Sequence, residues 1–160
     1  MAIYLEFEGV KGNVTAEGYK DHIAVDSVMF NARRNISMEP GHMTNREVSR
    51  PSINAISISK KADSSVAALF KEFMGGSVGK KVTIKFVQTG SDKVREFMSY
   101  TLENCLVSGY SMTGSGENHP NETFQLSFSK IFVDYRDTDA SNKSGSPQRV
   151  GYDLVTAKLV

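Results

Sequence analysis

Between Glu122 and Tyr135 the apolar residues change face. Phe124, Leu126 and Phe128 alternate with Gln125, Ser127 and Ser129, whereas beyond Lys130 the apolar set is Ile131, Val133 and Tyr135. A strand sends successive side chains to opposite faces, so its buried parity shifts only where an extra residue enters the ladder. The pattern predicts a bulge or sharp coil at Ser129 and Lys130, where one strand serves two sheets, as at a barrel or sandwich corner.

The other segments read around that corner. Ile3, Leu5 and Phe7 against Tyr4, Glu6 and Glu8 predict a first half-buried strand that stops at Gly9 and Gly12. His22 to Phe30 has apolar residues on both faces, interrupted by Asp26 and Ser27, and predicts one strand with contacts on both sides. Ile53 to Lys60, Val82 to Val87 and the long run Val94 to Met112 add strands, the last two joined through Gly90-Ser91-Asp92-Lys93. In that long run Met98, Tyr100, Leu102, Leu106, Tyr110 and Met112 share even parity. Thr113 to Asn121 reads as a Gly-rich polar loop, Arg136 to Gly151 as a polar tail loop, and Tyr152 to Val160 as a short terminal strand. One helix is predicted, with Val66, Leu69, Phe70 and Phe73 at spacings of three and four, Asp63 or Ser64 as cap and Gly75-Gly76 as terminator. A single apolar stripe means a single buried face, laid against the open end or side of the β-structure. Six or seven strands and one helix predict a mainly β, barrel-like fold.

From Asn31 to Arg50 periodicity disappears. Arg33, Arg34, Arg46, Arg50, Glu39, Glu47, Met38 and Met43 surround the breaker pair Pro40-Gly41. A structureless segment of this length is uncommon inside a compact domain. Met and Arg are enriched where proteins meet, so Arg33, Arg34, Met38, Met43, Arg46, Glu47 and Arg50 are candidate assembly residues; a solvated loop fits the same composition.

Composition narrows the function classes. At 160 residues one domain is expected, burying roughly 70% of the surface the unfolded chain exposes. Cys105 is the single cysteine and lies in the strand-like run TLENCLV, which predicts a buried thiol without an internal disulfide. The formal net charge of +1 is spread along the chain, with no basic stripe for nucleic acid and no membrane-binding face. The N-terminus lacks a basic stretch followed by an apolar one, so no secretory signal peptide is expected, and the sequons at Asn13, Asn35, Asn121 and Asn142 read as chance. His22, His42 and His119 form no metal-ligand spacing with Cys105 or paired carboxylates. Gly75-Gly76-Ser77-Val78-Gly79-Lys80 hints at a phosphate loop but is one residue short, has Lys81 where Ser or Thr belongs, and runs from helix to strand. Gly114-Ser115-Gly116 reads as a hairpin tip. No catalytic residue, metal site or cofactor is expected, and no enzyme.

Several segments together resemble the haemolysin-coregulated protein (Hcp) family, the tube-forming component of bacterial type VI secretion systems. They are Ile3-Tyr4-Leu5 with Gly9-Val10-Lys11-Gly12, Asp21-His22-Ile23, and Lys61-Ala62-Asp63-Ser64-Ser65 leading to Leu69. Thr101-Leu102-Glu103-Asn104, Val107-Ser108, Phe128-Ser129-Lys130-Ile131 with Tyr135, and Gly151-Tyr152-Asp153-Leu154 continue the series. The resemblance runs end to end, departing at Val66, where many relatives carry proline, and in the Arg33 to Arg50 loop. It implies one domain over residues 1–160, a two-sheet β-barrel with a flanking α-helix. It further implies a homohexameric ring that stacks into a hollow tube, partnered by sheath and spike proteins, propelled from the cell and carrying effector proteins in its lumen. The protein would then be cytoplasmic when assembled and secreted afterwards. On that reading Ser115, Glu117 and Asn118 are candidate lumen residues. A phage-type tail-tube protein shares the barrel and ring, and a monomeric ligand-binding β-barrel is the rival of a different class, needing an apolar cavity.

Overall fold

The computed structural model describes residues 1–41, 48–90, 94–137 and 145–160. Among them the strands are β1 Ala2–Phe7, β2 Ile23–Val25, β3 Ser27–Met29, β4 Ala32–Arg33, β5 Ser52–Ile53, β6 Ile56–Lys61, β7 Lys80–Thr89, β8 Val94–Ser115, β9 Asn118–Ser127, β10 Lys130–Tyr135, β11 Gln148–Asp153 and β12 Lys158–Leu159, with helix α1 at Val66–Gly75. The larger number of strands than the six or seven expected comes from short segments. Two residues of ladder are too few to leave a periodic signature.

Two antiparallel sheets share one strand. The first runs β12-β11-β10-β8-β7-β1-β2, and the second runs β3-β6-β9-β8. The N-terminal half of β8 pairs β7 and β10, as in Leu102 opposite Val82 and Ile131; its C-terminal half pairs β9, as in Tyr110 opposite Phe124. The chain also turns a corner at Asp26, between β2 and β3, where the Asp26 amide donates to Ser59 O at 2.9 Å. The result is a two-sheet, barrel-like structure. Leu5, Ile23, Ile56, Ile58, Val82, Ile84, Leu102, Phe124 and Leu126 are all fully buried between the sheets.

The parity change at Ser129 is real, but its mechanism differs from a bulge in one strand. β9 ends at Ser127 in the second sheet and β10 begins at Lys130 in the first, so two strands meet there. The strand that serves both sheets is β8. Its buried set moves from even Leu102 to odd Cys105 and Val107, and Asn104 between them has a left-handed backbone, φ 52°. The Ser129 amide donates to Glu103 O at 3.1 Å, so the two parity changes sit side by side.

Other expectations need correction. His22 to Phe30 is two strands, because Asp26 turns the chain between sheets. The stretch read as the loop Thr113 to Asn121 is largely ladder, with Thr113 opposite Asn121 and Ser115 opposite Asn118, leaving Gly116 and Glu117 as the turn. β11 begins at Gln148, inside the expected tail loop, and the terminal segment is a hairpin of β11 with β12. Helix α1 begins at Val66 behind Ser65; Ser65 makes no side-chain cap, and the Asp63 carboxylate instead accepts the Ser65 amide at 2.9 Å. Leu69 is the helix residue that is fully buried, a burial that contributes about 1.5–3 kcal/mol.

Candidate assembly surface

Asn31 to Arg50 is ribbon rather than structureless loop over its described part. Ala32 and Arg33 pair with Ile53 and Ser52, and Ile36 bridges Val48. The Asn35 amide donates to Ser49 Oγ at 3.0 Å, and the Ser49 amide returns a bond to Asn35 O at 3.1 Å. The ribbon follows the β3–β6 pair off one end of the second sheet. Arg33, Arg34, Met38 and Arg50 are exposed on it, Met38 at 75%. Among the described residues no carboxylate lies within ion-pair distance of the three arginines. Met43, Arg46 and Glu47 lie outside the described residues.

Ser115, Glu117 and Asn118 stand together at the tip of the β8–β9 hairpin, all exposed. Register places that tip away from the ribbon. Lys61 opposes Asn121 towards the hairpin, whereas Ile56 opposes Leu126 towards the ribbon, so the two candidate sets occupy opposite ends of the second sheet. Exposed apolar side chains form two further groups by element. Phe70, Met74 and Val78 belong to α1 and the connection after it; Val150, Leu154, Val155 and Leu159 belong to the C-terminal hairpin, whose β12 is the outer edge of the first sheet. An edge strand presents unpaired backbone donors and acceptors to any neighbour.

Beneath α1 lies a polar cluster that periodicity did not single out. Lys60 and Glu122 oppose each other on β6 and β9, and both side chains are fully buried. Lys60 Nζ stands 2.8 Å from Glu122 Oε1 and 2.8 Å from Asp63 Oδ1, and donates to Lys61 O at 3.2 Å. Tyr110 OH donates to Glu122 Oε2, and Ser65 Oγ to Asp63 Oδ1. Burial opposes charge on Asp63, yet the Lys60 ammonium and the Ser65 donors outweigh it and hold the carboxyl below its ordinary range. Burial, with the Glu122 carboxylate alongside, pushes the Tyr110 phenol well above its ordinary value. The available signal was parity: Lys60 continues the inward set Ile56 and Ile58, and Glu122 precedes the inward set Phe124 and Leu126.

A second cluster ties β1, β2 and β7 near a cleft of about 500 Å3 whose lining includes Glu6, Lys11, Lys20 and His22. Lys85 Nζ donates to Glu6 Oε2 at 2.8 Å and stands 3.1 Å from His22 Nε2. The Lys85 hydrogen bond, working against burial, holds the Glu6 carboxyl below its ordinary range. Burial pushes the Cys105 thiol up to about 12, far from a reactive thiolate. Lys80, the lysine of the phosphate-loop-like stretch, is engaged by Glu72. Among the described residues no three His, Cys, Asp or Glu side chains are placed to hold a metal ion, and no helix is long and apolar enough to cross a membrane.

A shared-strand, two-sheet β-barrel with a flanking helix, an exposed ribbon and open sheet edges defines a mainly β protein. Residues 4–135 match the family described as type VI secretion system effector, Hcp, and the chain belongs to that family. It is therefore a type VI secretion protein. It is 28% identical over 104 residues to protein hcp1 of Pseudomonas aeruginosa, an alignment spanning 64% of each chain. In fold it is similar to a type six secretion system protein of known structure, with TM-score 0.91 at 21% identity over 99% of both chains. Hcp1 from Salmonella typhimurium superposes with TM-score 0.77 at 22% identity, over 99% of this chain and 98% of that one. Hcp3 from Pseudomonas aeruginosa superposes with TM-score 0.60 at 15% identity, over 95% and 97%.

Proposed function

We propose that this chain is a non-catalytic, single-domain tube subunit of a type VI secretion system. Six copies close into a ring, rings stack into a hollow tube inside a contractile sheath, and the tube leaves the cell behind a spike with effector proteins in its lumen. Family membership supports the secretion role. The observation that carries the assembly role is the ribbon, lined by the exposed Arg33, Arg34, Met38 and Arg50, together with the open edge strand β12 of the first sheet. A head-to-tail assembly needs two different patches on one chain, and this arrangement supplies them. The segment from Arg33 to Arg50, with Arg33, Arg34, Met38, Met43, Arg46, Glu47 and Arg50 as its candidate residues, reaches across a ring–ring or protomer–protomer contact. The hairpin tip, with Ser115, Glu117 and Asn118, is the lumen-side surface that meets cargo.

The test is sedimentation of the purified chain beside Arg33→Glu, Arg34→Glu and Arg46→Glu. The unchanged chain sediments as a ring or larger. The three reversals shift the distribution towards smaller species while circular dichroism stays native. Unaltered assembly in all three removes the ribbon from the contact.

A further inference from the structure

Two unlike sets of contacts hold helix α1. The apolar set is a stripe: Leu69 is fully buried, and the Phe70 and Phe73 rings pack on Tyr110 with centroids 5.6 and 6.0 Å away. A stripe that repeats at three and four residues nearly superposes on itself after one turn, about 5.4 Å along the axis. Such a shift brings Phe73 to the place of Leu69 and Met74 to the place of Phe70, one apolar side chain for another, but puts Ser77 at the place of Phe73. Apolar packing therefore separates the two placements through one ring contact and the fit of Phe73 at the Leu69 site, and leaves the rest of the stripe indifferent.

The polar set does not repeat. Asp63, two residues before the first helical residue's neighbour Ser65, accepts both Ser65 donors and meets the Lys60 ammonium, which in turn meets Glu122 on β9. Directional, charge-assisted contacts of this kind are satisfied at one position of the helix and at no position a turn away. Stability explains the cluster poorly. Lys60 and Glu122 are wholly removed from water, and Glu122 Oε1, though 2.8 Å from Lys60 Nζ, has no aligned hydrogen-bond donor. Desolvation of two charges offsets most of their attraction, and an apolar pair of equal volume often serves as well.

We propose that the Lys60–Glu122–Asp63 cluster fixes the axial position of α1 on the second sheet, contributing little to net stability. The role belongs to the folded chain and does not depend on ring assembly. Lys60→Met alone strands the buried Glu122 carboxylate, leaves Asp63 only its Ser65 donors, and raises the unfolding equilibrium constant by roughly 100-fold or more. The triple variant Lys60→Met/Glu122→Leu/Tyr110→Phe removes the two fully buried charges and the orphaned hydroxyl together, while Asp63 keeps its Ser65 donors. Its unfolding constant in urea returns to within about tenfold of the unchanged protein. Its α1 resonances split or broaden in nuclear magnetic resonance spectra, and the through-space contact between Phe70 and the ring at position 110 weakens. One sharp set of α1 resonances with that contact at full strength overturns the proposal. So does a triple variant as unstable as Lys60→Met, or one that fails to fold. Asp63→Asn provides a milder test, since it leaves Lys60 and Glu122 paired. Amide exchange over residues 66–69 then quickens about tenfold while residues 122–126 of β9 keep their rate. Equal quickening in both segments, or none in either, also overturns it.

Discussion

Gly75→Ala at the end of α1 and Gly79→Ala just before β7 lie four residues apart, yet they are expected to move stability in opposite directions. A Cβ added to Gly79 would stand 1.8 Å from Asn104 Oδ1 and 2.6 Å from Asn104 Cα. The side-chain amide can rotate away. The Cα cannot, because Asn104 is the left-handed residue, φ 52°, at which β8 passes from one sheet to the other. Carbon atoms settle at about 3.5–4.0 Å, so the two backbones must part by about 1 Å. Overpacking of that kind costs about 1–3 kcal/mol. Gly75 closes the helix with nothing within 4 Å of its added Cβ, and alanine there gains about 0.5–1 kcal/mol. For a chain of this length each kcal/mol is about 2–4 °C in Tm, so Gly79→Ala melts about 2–12 °C lower and Gly75→Ala about 1–4 °C higher. Thermal unfolding followed by circular dichroism reads both. An unchanged or raised Tm for Gly79→Ala refutes the close approach of the two backbones, and a loss at Gly75 as large as at Gly79 refutes the contrast between them.

Two further outcomes follow from buried groups. Cys105 is 1% exposed with its thiol pushed up to about 12, so a thiol reagent at pH 8 should label it only after urea unfolds the chain; equal rates with and without urea would contradict its burial. Asp63 has its folded-state carboxyl lowered, so its contribution is present above its unfolded value of about 3.9 and is lost as pH falls through the folded value. The urea midpoint of the unchanged protein should therefore fall more steeply below about pH 4 than that of Asp63→Asn, and parallel profiles would show that Asp63 gains nothing from Lys60 in the folded state.

Much of the fold was legible because parity survives in strands that have one buried face. The switch at Ser129 and Lys130 marked a passage between sheets, and the helix stripe placed α1 within a few residues. The corner in β8 was hidden, because Leu106, Tyr110 and Met112 keep the even parity of Leu102 while burial moves to Cys105 and Val107. A left-handed Asn104 leaves no mark on hydropathy. The β4–β5 ribbon and the hairpin tip looked like loops since both of their faces are largely exposed, which removes alternation, and Gly114 read as turn chemistry where backbone pairing prevailed. The candidate residues Arg33, Arg34, Met38 and Arg50 lie exposed along one ribbon, and Ser115, Glu117 and Asn118 at one hairpin tip. Lys60 and Glu122 were missed because charge reads as surface unless the inward phase of both strands is compared.

Since β8 is the seam of both sheets, neither can come undone alone. Loosening the half that faces β7 and β10 drags on the half that faces β9, so the molecule has no inexpensive state with one sheet intact and the other frayed. A break in the backbone between Leu102 and Val107 would disable both ladders together, whereas a nick at the Gly116–Glu117 turn would leave every strand beside its partner.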